Sequence, residues 1–417
     1  MKQLSIYFST VLVLIVSVSQ AFALPRFALM RGEANCLGCH VNPTGGQLRG
    51  PGGVSYAIND LPMWKRGENI KYTGDISEGL RLGGDFRSQL LYFAQKGPLG
   101  QNKADTTLSV TSFHAMSLAF ELDVKATNTL HGFFRYDPLG LTPSEGWAIL
   151  HFVHSSGELL KSSDAVTNAY IKVGSFLPAF GVRFDDHTVY VKGGTASLSG
   201  FAPAGFFWSP GYRDVGAEIG ALFFDHIGIT AGMFNGSETS PRATFSTDPN
   251  KAICVRINAA GEFIEDMLAG EIGFSRYMHN SIGGQAVNLA LNAAHVGLRV
   301  GPVSILGEYD FGENVVLDNA AVVAKANALC LEGSIRITKG LDGILRYETF
   351  SDENPAGITD TKVKGRIMIG AQWFPIRFLE IRPEFRIANS SSATTQGSTA
   401  LDDFTENTFL VQTHVFF

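Results

Sequence analysis

From about residue 79 to the carboxyl terminus, apolar and polar residues alternate along the chain in repeated short segments. Between Leu379 and Ile387, for example, four charged residues of both signs alternate with mostly apolar neighbours. A period of two places successive side chains on opposite faces of a β-strand. The pattern predicts strands at 78–94, 108–124, 128–138, 146–155, 166–175, 213–224, 227–235, 251–262, 266–277, 289–300, 302–311, 325–338, 341–350, 362–374, 377–388 and 407–417.

The polar face of these strands distinguishes a membrane protein from a soluble one. A soluble β-sandwich also alternates, with its apolar face inward. Segments of about ten residues whose polar face holds both signs of charge are instead typical of a barrel with a water-filled lumen. The sequence therefore predicts an all-β fold: a transmembrane antiparallel β-barrel of about 16 strands over residues 71–417, surrounded by outer-membrane lipid.

Two kinds of connection join the predicted strands. Short ones are expected to be periplasmic turns, such as Asp225–His226, Gly301–Pro302 and Pro375–Ile376. Longer ones are expected to be extracellular loops: Gly97–Thr107, Gly236–Asn250, Val315–Ala324 and Asn389–Glu406. The stretch 175–212, which holds Asp185, Asp186 and His187, is too long for an ordinary loop and is predicted to constrict the lumen.

The chain begins with the features of an exported protein. Lys2 gives a positive start, residues 11–18 form a short apolar core, and Ala21-Phe22-Ala23 resembles a cleavage site. Residues 1–23 are therefore predicted to be a signal peptide. No later stretch reaches about 18 consecutive apolar residues, so no transmembrane helix is predicted.

A Gly/Pro-rich segment, residues 24–70, separates the signal peptide from the barrel. Its runs Pro43–Gly46 and Gly50–Gly53 predict turns and loops. Such a short segment with little apolar sequence does not form a core of its own. We therefore expect the barrel, or another protein, to cover it.

Composition narrows the choice of function classes. The chain has 46 glycines, 11% aromatic residues and only 17% charged residues, which is unusual for a soluble enzyme. The formal net charge of −6 argues against a nucleic-acid partner.

The sharpest motif is Cys36-Leu37-Gly38-Cys39-His40. C-x-x-C-H is the attachment motif of c-type haem, in which two thioethers hold the porphyrin and the histidine ligates the iron. A zinc site would need a second ligand pair at finger spacing, whereas Cys254 and Cys330 lie far along the chain. A redox C-x-x-C pair is expected near a βαβ pattern, which this segment lacks. The motif therefore predicts one covalent haem c held by Cys36, Cys39 and His40, with His40 as the metal ligand.

The sixth ligand of the iron is left open by the sequence. Met63 and Met30 are the sulfur ligands nearest the motif, and a methionine would raise the potential relative to a second histidine. The alternative for Met63 is packing against the haem or the barrel wall. By strand parity His131, His295 and His414 point inward, and His131 and His295 compete for the position, although most lumen histidines are solvated wall residues.

Inward positions also carry two cysteines and many charges. Cys254 and Cys330 lie four predicted strands apart, beyond the Cα separation of about 7 Å that a disulfide allows, so two unpaired structural thiols are expected. The inward carboxylates either attract Fe²⁺ or form salt bridges with interleaved arginines, and the second interpretation is preferred. These carboxylates are Asp85, Glu121, Asp123, Asp137, Glu218, Glu271, Glu308, Asp310 and Glu332, and the arginines are Arg81, Arg87, Arg135, Arg256 and Arg336.

A signal peptide, one C-x-x-C-H motif in a short Gly/Pro-rich segment and a barrel of about sixteen strands resemble the monohaem cytochrome–porin fusions of the outer membrane. Phe27-Ala28 before the motif and Pro43 after it are also similar to that family. Its characterised members are linked to ferrous iron oxidation. The resemblance implies an oxidoreductase of the bacterial outer membrane that takes single electrons from an extracellular donor such as Fe²⁺. The acceptor it implies is a periplasmic c-type cytochrome.

These parts predict a plugged barrel, in which residues 24–70 fold into the lumen and the walls complete the haem pocket. Outward electron flow to an extracellular acceptor uses the same parts. A second function class is a diffusion porin with an accessory haem segment. A third is a haem enzyme such as a peroxidase, which would need an open sixth position and a distal acid/base pair.

Overall fold

The computed structural model describes most of the predicted barrel and part of the segment before it. The described residues are 27, 29, 36–64, 72–98, 105–140, 142, 144–182, 188–192, 194, 213–236, 248–265, 267–282, 285–316, 322–353, 361–393 and 401–417. The predicted signal peptide, Met30, Asp185, Asp186 and His187 lie outside these residues.

Sixteen antiparallel strands form a closed barrel in the described part of the chain. They are β1 Leu80–Pro98, β2 Asp105–Lys125, β3 Leu130–Tyr136, β4 Glu145–His154, β5 Val166–Phe176, β6 Asp214–Phe223, β7 Ile227–Phe234, β8 Ala252–Ile264, β9 Leu268–Ile282, β10 Gln285–Val300, β11 Val303–Val316, β12 Val322–Thr338, β13 Leu341–Glu353, β14 Thr361–Trp373, β15 Leu379–Ala393 and β16 Leu401–Phe416. Each strand pairs with the next, and β16 returns to pair with β1, which closes the barrel. Two shorter strands, Asp75–Ser77 and Leu160–Lys161, pair with β1 and β4.

The fold class and the strand number predicted from the alternation are confirmed. Every predicted segment overlaps one barrel strand. Many strands extend further than predicted away from the short turns, and β16, for example, starts at Leu401 rather than at residue 407. The exposed positions of this extension, Asp403 and Thr405, are polar. Backbone pairing therefore continues past the apolar band that made the pattern visible.

The two ends of the barrel differ in the length of their connections. At one end, called the turn end below, most strands are joined by tight turns. Asp225 (φ 58°) and Gly301 (φ 55°) adopt the left-handed backbone conformation that such turns use. At the other end, called the loop end, most connections are longer.

The two faces of the wall have opposite character. Outward positions carry exposed apolar side chains such as Ile272, Leu345 and Ile369, while inward positions carry buried charges such as Arg346 and Glu332. In lipid every backbone polar group must be paired within the protein, and a closed barrel achieves this because it has no edge strand. Among the described residues, no helix is long and apolar enough to cross a membrane.

A helix interrupts the N-terminal segment where the sequence predicted turns and loops. Residues Pro51–Asn59 form helix α1, so the interpretation of Gly50–Gly53 as a loop is wrong. Pro51 lies in the first turn, where its missing N–H loses no hydrogen bond and its fixed φ favours a helix. The run Pro43–Gly46 is a turn, as predicted, with Gly45 at φ 82° and Gly46 at φ 73°.

Residues 36–64 of the N-terminal segment pack against the inner wall near the turn end. Lys339 Nζ donates to the carbonyl of Asn59 at 2.6 Å, and Arg377 Nε donates to the carbonyl of Ile58 at 3.3 Å. An apolar cluster joins this segment to the wall, and its buried members are Tyr56, Ala57, Leu61, Phe374 and Phe416. Residues 36–64 therefore lie against the inside of the wall, while the haem pocket of the plugged-barrel prediction stays a prediction.

The connection between β5 and β6 also enters the lumen. The N–H of Val182 donates to Glu308 on β11, and the N–H of Tyr190 donates to Glu348 on β13, both at 3.1 Å. These contacts carry residues 177–182 and 188–192 across to strands far from β5 and β6 in the barrel. The described part of the predicted constriction therefore narrows the lumen.

Candidate functional site

The C-x-x-C-H motif forms a compact turn beside helix α1. Cys36–Gly38 make one turn of 3₁₀ helix, and the N–H of His40 donates to the carbonyl of Cys36 at 2.6 Å. Cys36 is buried and Cys39 is half-buried. All four cysteines of the chain belong to the described residues, and no disulfide joins any two of them.

The ring of His40 is oriented by the backbone. Its Nδ1 lies 3.2 Å from the carbonyl oxygen of Gln47. Because a carbonyl oxygen only accepts, Nδ1 carries the proton and Nε2 carries the lone pair. Metal-bound histidines usually donate their second ring N–H to such a partner. The orientation of His40 therefore fits an axial ligand acting through Nε2.

Two glycines allow α1 to approach the motif closely. A Cβ atom at Gly52 would overlap the carbonyl oxygen of Gly38, and one at Gly53 would overlap that of Cys39. The N–H of Gly50 donates to the same Cys39 carbonyl at 2.9 Å. The Gly-Pro-Gly-Gly run is thus the surface on which the motif packs. Sequence reasoning missed this role, although proline at the first helical position was a usable signal.

A polar anchor attaches the segment to the wall. Lys172 Nζ on β5 forms a salt bridge with Glu218 on β6 at 2.7 Å and donates to Asn42 Oδ1 at 3.2 Å. It also lies 4.2 Å from the centroid of the Phe176 ring. Asn42 closes its own turn by donating to the carbonyl of Gly45 at 2.9 Å. The sequence reasoning missed Lys172, although the alternation of the strand Val166–Phe176 places this lysine on the inward face.

Met63 lies at the opposite end of α1 from the motif. Its N–H donates to the carbonyl of Phe374 at 2.8 Å, and its backbone lies against Gly340 at the turn end. A nine-residue helix is about 13 Å long, and α1 starts beside Cys39. Ligation of the iron by Met63 stays a prediction, and Met30 lies outside the described residues.

The inward histidines named from the sequence lie beside carboxylates of the wall. The distances are 3.4 Å for His131–Asp123, 3.1 Å for His295–Glu271 and 3.0 Å for His414–Glu380. Their inward orientation is confirmed. These partners account for them as wall residues, and iron ligation by His131 or His295 stays a prediction.

Cys254 and Cys330 are buried on the inner face of the barrel, as predicted. Cys254 Sγ donates to the carbonyl of Ala179 at 3.3 Å, so this thiol helps to hold the lumen connection. The expectation that these two thiols are unpaired is confirmed.

Most inward charges form salt bridges, which agrees with the preferred interpretation of the carboxylates. The pairs include Arg87–Asp85, Arg135–Glu121, Lys192–Glu308, Arg346–Glu332 and Arg366–Glu348. Asp123 is fully buried and pairs with His131 at 3.4 Å, but neither of its carboxylate oxygens accepts a hydrogen bond in the described part of the chain. Among the described residues, no three His, Cys, Asp or Glu side chains already share a geometry that holds a metal ion.

Asp137, just beyond the end of β3, is a carboxylate with a shifted pKa. Burial would raise the pKa of this group, but hydrogen bonds outweigh it and hold the pKa below its ordinary value. The donors are the N–H groups of Leu118, Leu139 and Thr142 and the hydroxyl of Thr142.

Comparison with known proteins places the fold but not the function. No protein-family model and no curated protein matches the sequence. A loop-deletion variant of OmpT, an outer membrane protein of Vibrio cholerae, is similar in structure, with a TM-score of 0.50 and 11% identity, covering 81% of this chain and 99% of that chain. The outer membrane channel DcaP of Acinetobacter baumannii gives a TM-score of 0.49 at 11% identity, covering 82% and 99%. OmpF of Salmonella typhi in complex with daunomycin gives 0.46 at 14% identity, covering 80% and 97%.

The fold is that of an outer-membrane porin barrel. A closed sixteen-stranded wall with an apolar outer face and a charged inner face belongs in the bacterial outer membrane. The prediction of this location is confirmed.

Proposed function

We propose that the lumen of this barrel is a narrow, charged channel for small hydrophilic solutes. The observation that carries the proposal is a closed barrel whose inner face is lined with ion pairs and crossed by the connection between β5 and β6. The porin-like fold supports this diffusion function more directly than it supports electron transfer.

The narrowed level of the lumen contains fixed charges of both signs. Lys192 Nζ lies 3.0 Å from Glu308, so the connection itself contributes a cation. Arg366 donates to the carbonyl of Thr188 at 2.6 Å and lies 4.1 Å from the centroid of the Tyr190 ring. Charges at the narrowest level of a pore set its ion selectivity.

Conductance across a planar lipid bilayer tests the channel. The full chain should conduct ions, and Lys192→Gln should shift the reversal potential in a KCl gradient toward cation selectivity. Lys364→Gln is the matched control, because Lys364 pairs with Asp403 on an exposed surface. A wild-type chain that does not conduct, or a reversal potential equally insensitive to both substitutions, would overturn the proposal.

A second candidate function, electron transfer through one covalent haem c, is favoured by the local geometry of the C-x-x-C-H turn. The donor set fits the group: two thiols on one helical turn and a histidine whose Nδ1 is already held by Gln47. A haem bound there would supply one-electron redox chemistry. Fe²⁺ outside and a periplasmic c-type cytochrome are the partners this candidate implies, and outward flow would use the same site.

The surrounding residues have distinct roles in this candidate. Cys36 and Cys39 would attach the group, and His40 would ligate the iron through Nε2. Gly52 and Gly53 keep α1 against the motif. Met63 or Met30 remains the proposed sixth ligand.

Covalent attachment is tested by haem staining of the full chain after denaturing electrophoresis, with the c-type maturation machinery coexpressed. The wild-type chain should stain, Cys36→Ser and Cys39→Ser together should abolish staining, and Cys254→Ser should leave it unchanged. An unstained wild-type chain would exclude this candidate while leaving the channel intact.

Reduction by Fe²⁺ is a separate test of the electron donor, followed in the optical spectrum of the purified, folded protein that carries the haem. Rapid reduction would support Fe²⁺ as the donor. A haem reduced only by dithionite would contradict Fe²⁺ as the donor while keeping the attachment site.

A further inference from the structure

We propose that three histidines and one carboxylate near the turn end of the barrel bind a divalent transition-metal ion. They are Asp123 on β2, His131 on β3, and His151 and His154 on β4. The site shares no residue with the C-x-x-C-H motif and is required by neither function above.

The three imidazole rings form a continuous group. The ring centroids of His131 and His151 are 6.0 Å apart, and those of His151 and His154 are 5.5 Å apart. Two imidazoles bound to one tetrahedral zinc, with Zn–N about 2.1 Å, have centroids about 5 Å apart. Both separations that involve His151 are therefore within about 1 Å of those in a shared metal site.

Asp123 supplies the observation that points to a cation. Its side chain is fully buried, and within the described structure neither carboxylate oxygen has a hydrogen-bond partner. Its Oδ1 lies 3.4 Å from Nδ1 of His131, close to the separation of about 3.3 Å between two ligand atoms on one tetrahedral zinc. A buried carboxylate that accepts no hydrogen bond is costly, and a bound cation lowers that cost.

One nitrogen of each ring already contacts the protein, which leaves the other nitrogen of each ring to face an ion. The partners are Asn168 Oδ1 for His151 Nδ1 at 3.3 Å, Ser156 Oγ for His154 Nδ1 at 3.2 Å and the Asn128 carbonyl for His131 Nε2 at 3.3 Å. The ligating atoms would be Nδ1 of His131 and Nε2 of His151 and His154. For His154 this requires Nδ1, which now accepts from the N–H of Ser156, to take the proton and donate it to Ser156 Oγ instead. The four groups do not yet share metal-ligand geometry, so binding requires these nitrogens to turn toward a common centre.

A β-bulge brings the fourth ligand into place. The pairing of β4 with β5 shifts between His151 and Val153, and such a shift re-aims the side chains that follow it. This irregularity accounts for His154 lying beside His151, although strict alternation puts residues three apart on opposite faces.

The ligand set and its exposure define the kind of ion. Three imidazoles and one carboxylate suit zinc and its first-row neighbours rather than Mg²⁺ or Ca²⁺. His131 and His154 are half-buried, so an ion can reach them from water at the turn end of the barrel. His151 and Asp123 are buried.

Titration calorimetry with Zn²⁺ on the full chain, folded in detergent, tests the site. Cys36→Ser and Cys39→Ser are included in every sample so that the motif thiols do not bind zinc. We expect one Zn²⁺ per chain, and His154→Gln and Asp123→Asn should each weaken binding by at least about tenfold. His226→Gln, which changes a histidine in another tight turn, should leave binding unchanged.

The variants must first be shown to be folded, by the heat-dependent gel migration of barrels. His154 is half-buried and Asp123→Asn keeps the side-chain shape, so both are expected to fold. Absorption of bound Co²⁺ gives a second readout, since imidazole and carboxylate ligation should give a visible spectrum that both variants lose. Zinc affinity equal in wild type, His154→Gln and Asp123→Asn, or lost equally in His226→Gln, would overturn the proposal.

Discussion

A single methyl group at Gly53 is enough to separate helix α1 from the C-x-x-C-H turn. The Cβ of Gly53→Ala would overlap the backbone carbonyl of Cys39, which cannot rotate away as a long side chain does. We expect α1 to shift and the neighbouring backbone to become accessible, which limited trypsin cleavage after Arg49 in the folded chain would detect. Ser55→Ala, on an exposed position of the same helix, should not change cleavage. Equal cleavage in both variants would contradict the packing argument.

Asp137 should make stability depend on pH. Its pKa is lower in the folded chain than its ordinary value of about 3.9, so the charged form stabilises the fold above that value. The contribution is lost as the pH falls through the folded pKa. Asp137→Asn should therefore reduce the free energy of unfolding in urea by about 1–2 kcal/mol at pH 7. The difference between wild type and variant should shrink in acid, and a difference that stays constant with pH would contradict the assignment.

At the scale of elements, the turn at Asn42 and strand β5 are joined through Lys172. Replacing Lys172 by Met leaves Glu218 buried without its cation, which should cost about 3–5 kcal/mol in the free energy of unfolding. The double variant Lys172→Met with Glu218→Leu should recover most of that loss, because an apolar pair replaces the ion pair. Urea unfolding measures both. A double variant as unstable as the single one would show that the other contacts of this pair, Lys172 with Asn42 and Tyr170 with Glu218, outweigh the salt bridge.

The strands were predictable because one physical requirement repeats along each of them: lipid on one face and water on the other. Helix α1 lacked such a repeat, since Gly52 and Gly53 are dictated by contact with the carbonyls of Gly38 and Cys39 rather than by a solvent pattern. The cysteines and His40 were visible as a motif. Lys172 and the Asp123 cluster depend on which strands are neighbours and on a bulge, neither of which local sequence specifies.

At the scale of the whole molecule, two segments share the space enclosed by the wall. Residues 36–64 pack near the turn end, and the connection between β5 and β6 binds Glu308 and Glu348. Both are fixed by buried polar contacts to strands distant in sequence. The closed wall depends on neither, because β16 pairs directly with β1. The barrel is therefore a frame that holds the two inserted segments.

Removing residues 36–64 should test whether the wall closes independently of this inserted segment. The shortened chain should still close its barrel, since all sixteen strands and the β16–β1 pairing are retained. Its single-channel conductance should exceed that of the full chain, because a packed segment no longer occupies the turn end of the lumen. Lys364→Met provides a control with an intact lumen and should conduct like the wild type. Equal conductance of the shortened and full chains would mean that ions pass beside the segment, and the channel would then be limited by the β5–β6 connection alone.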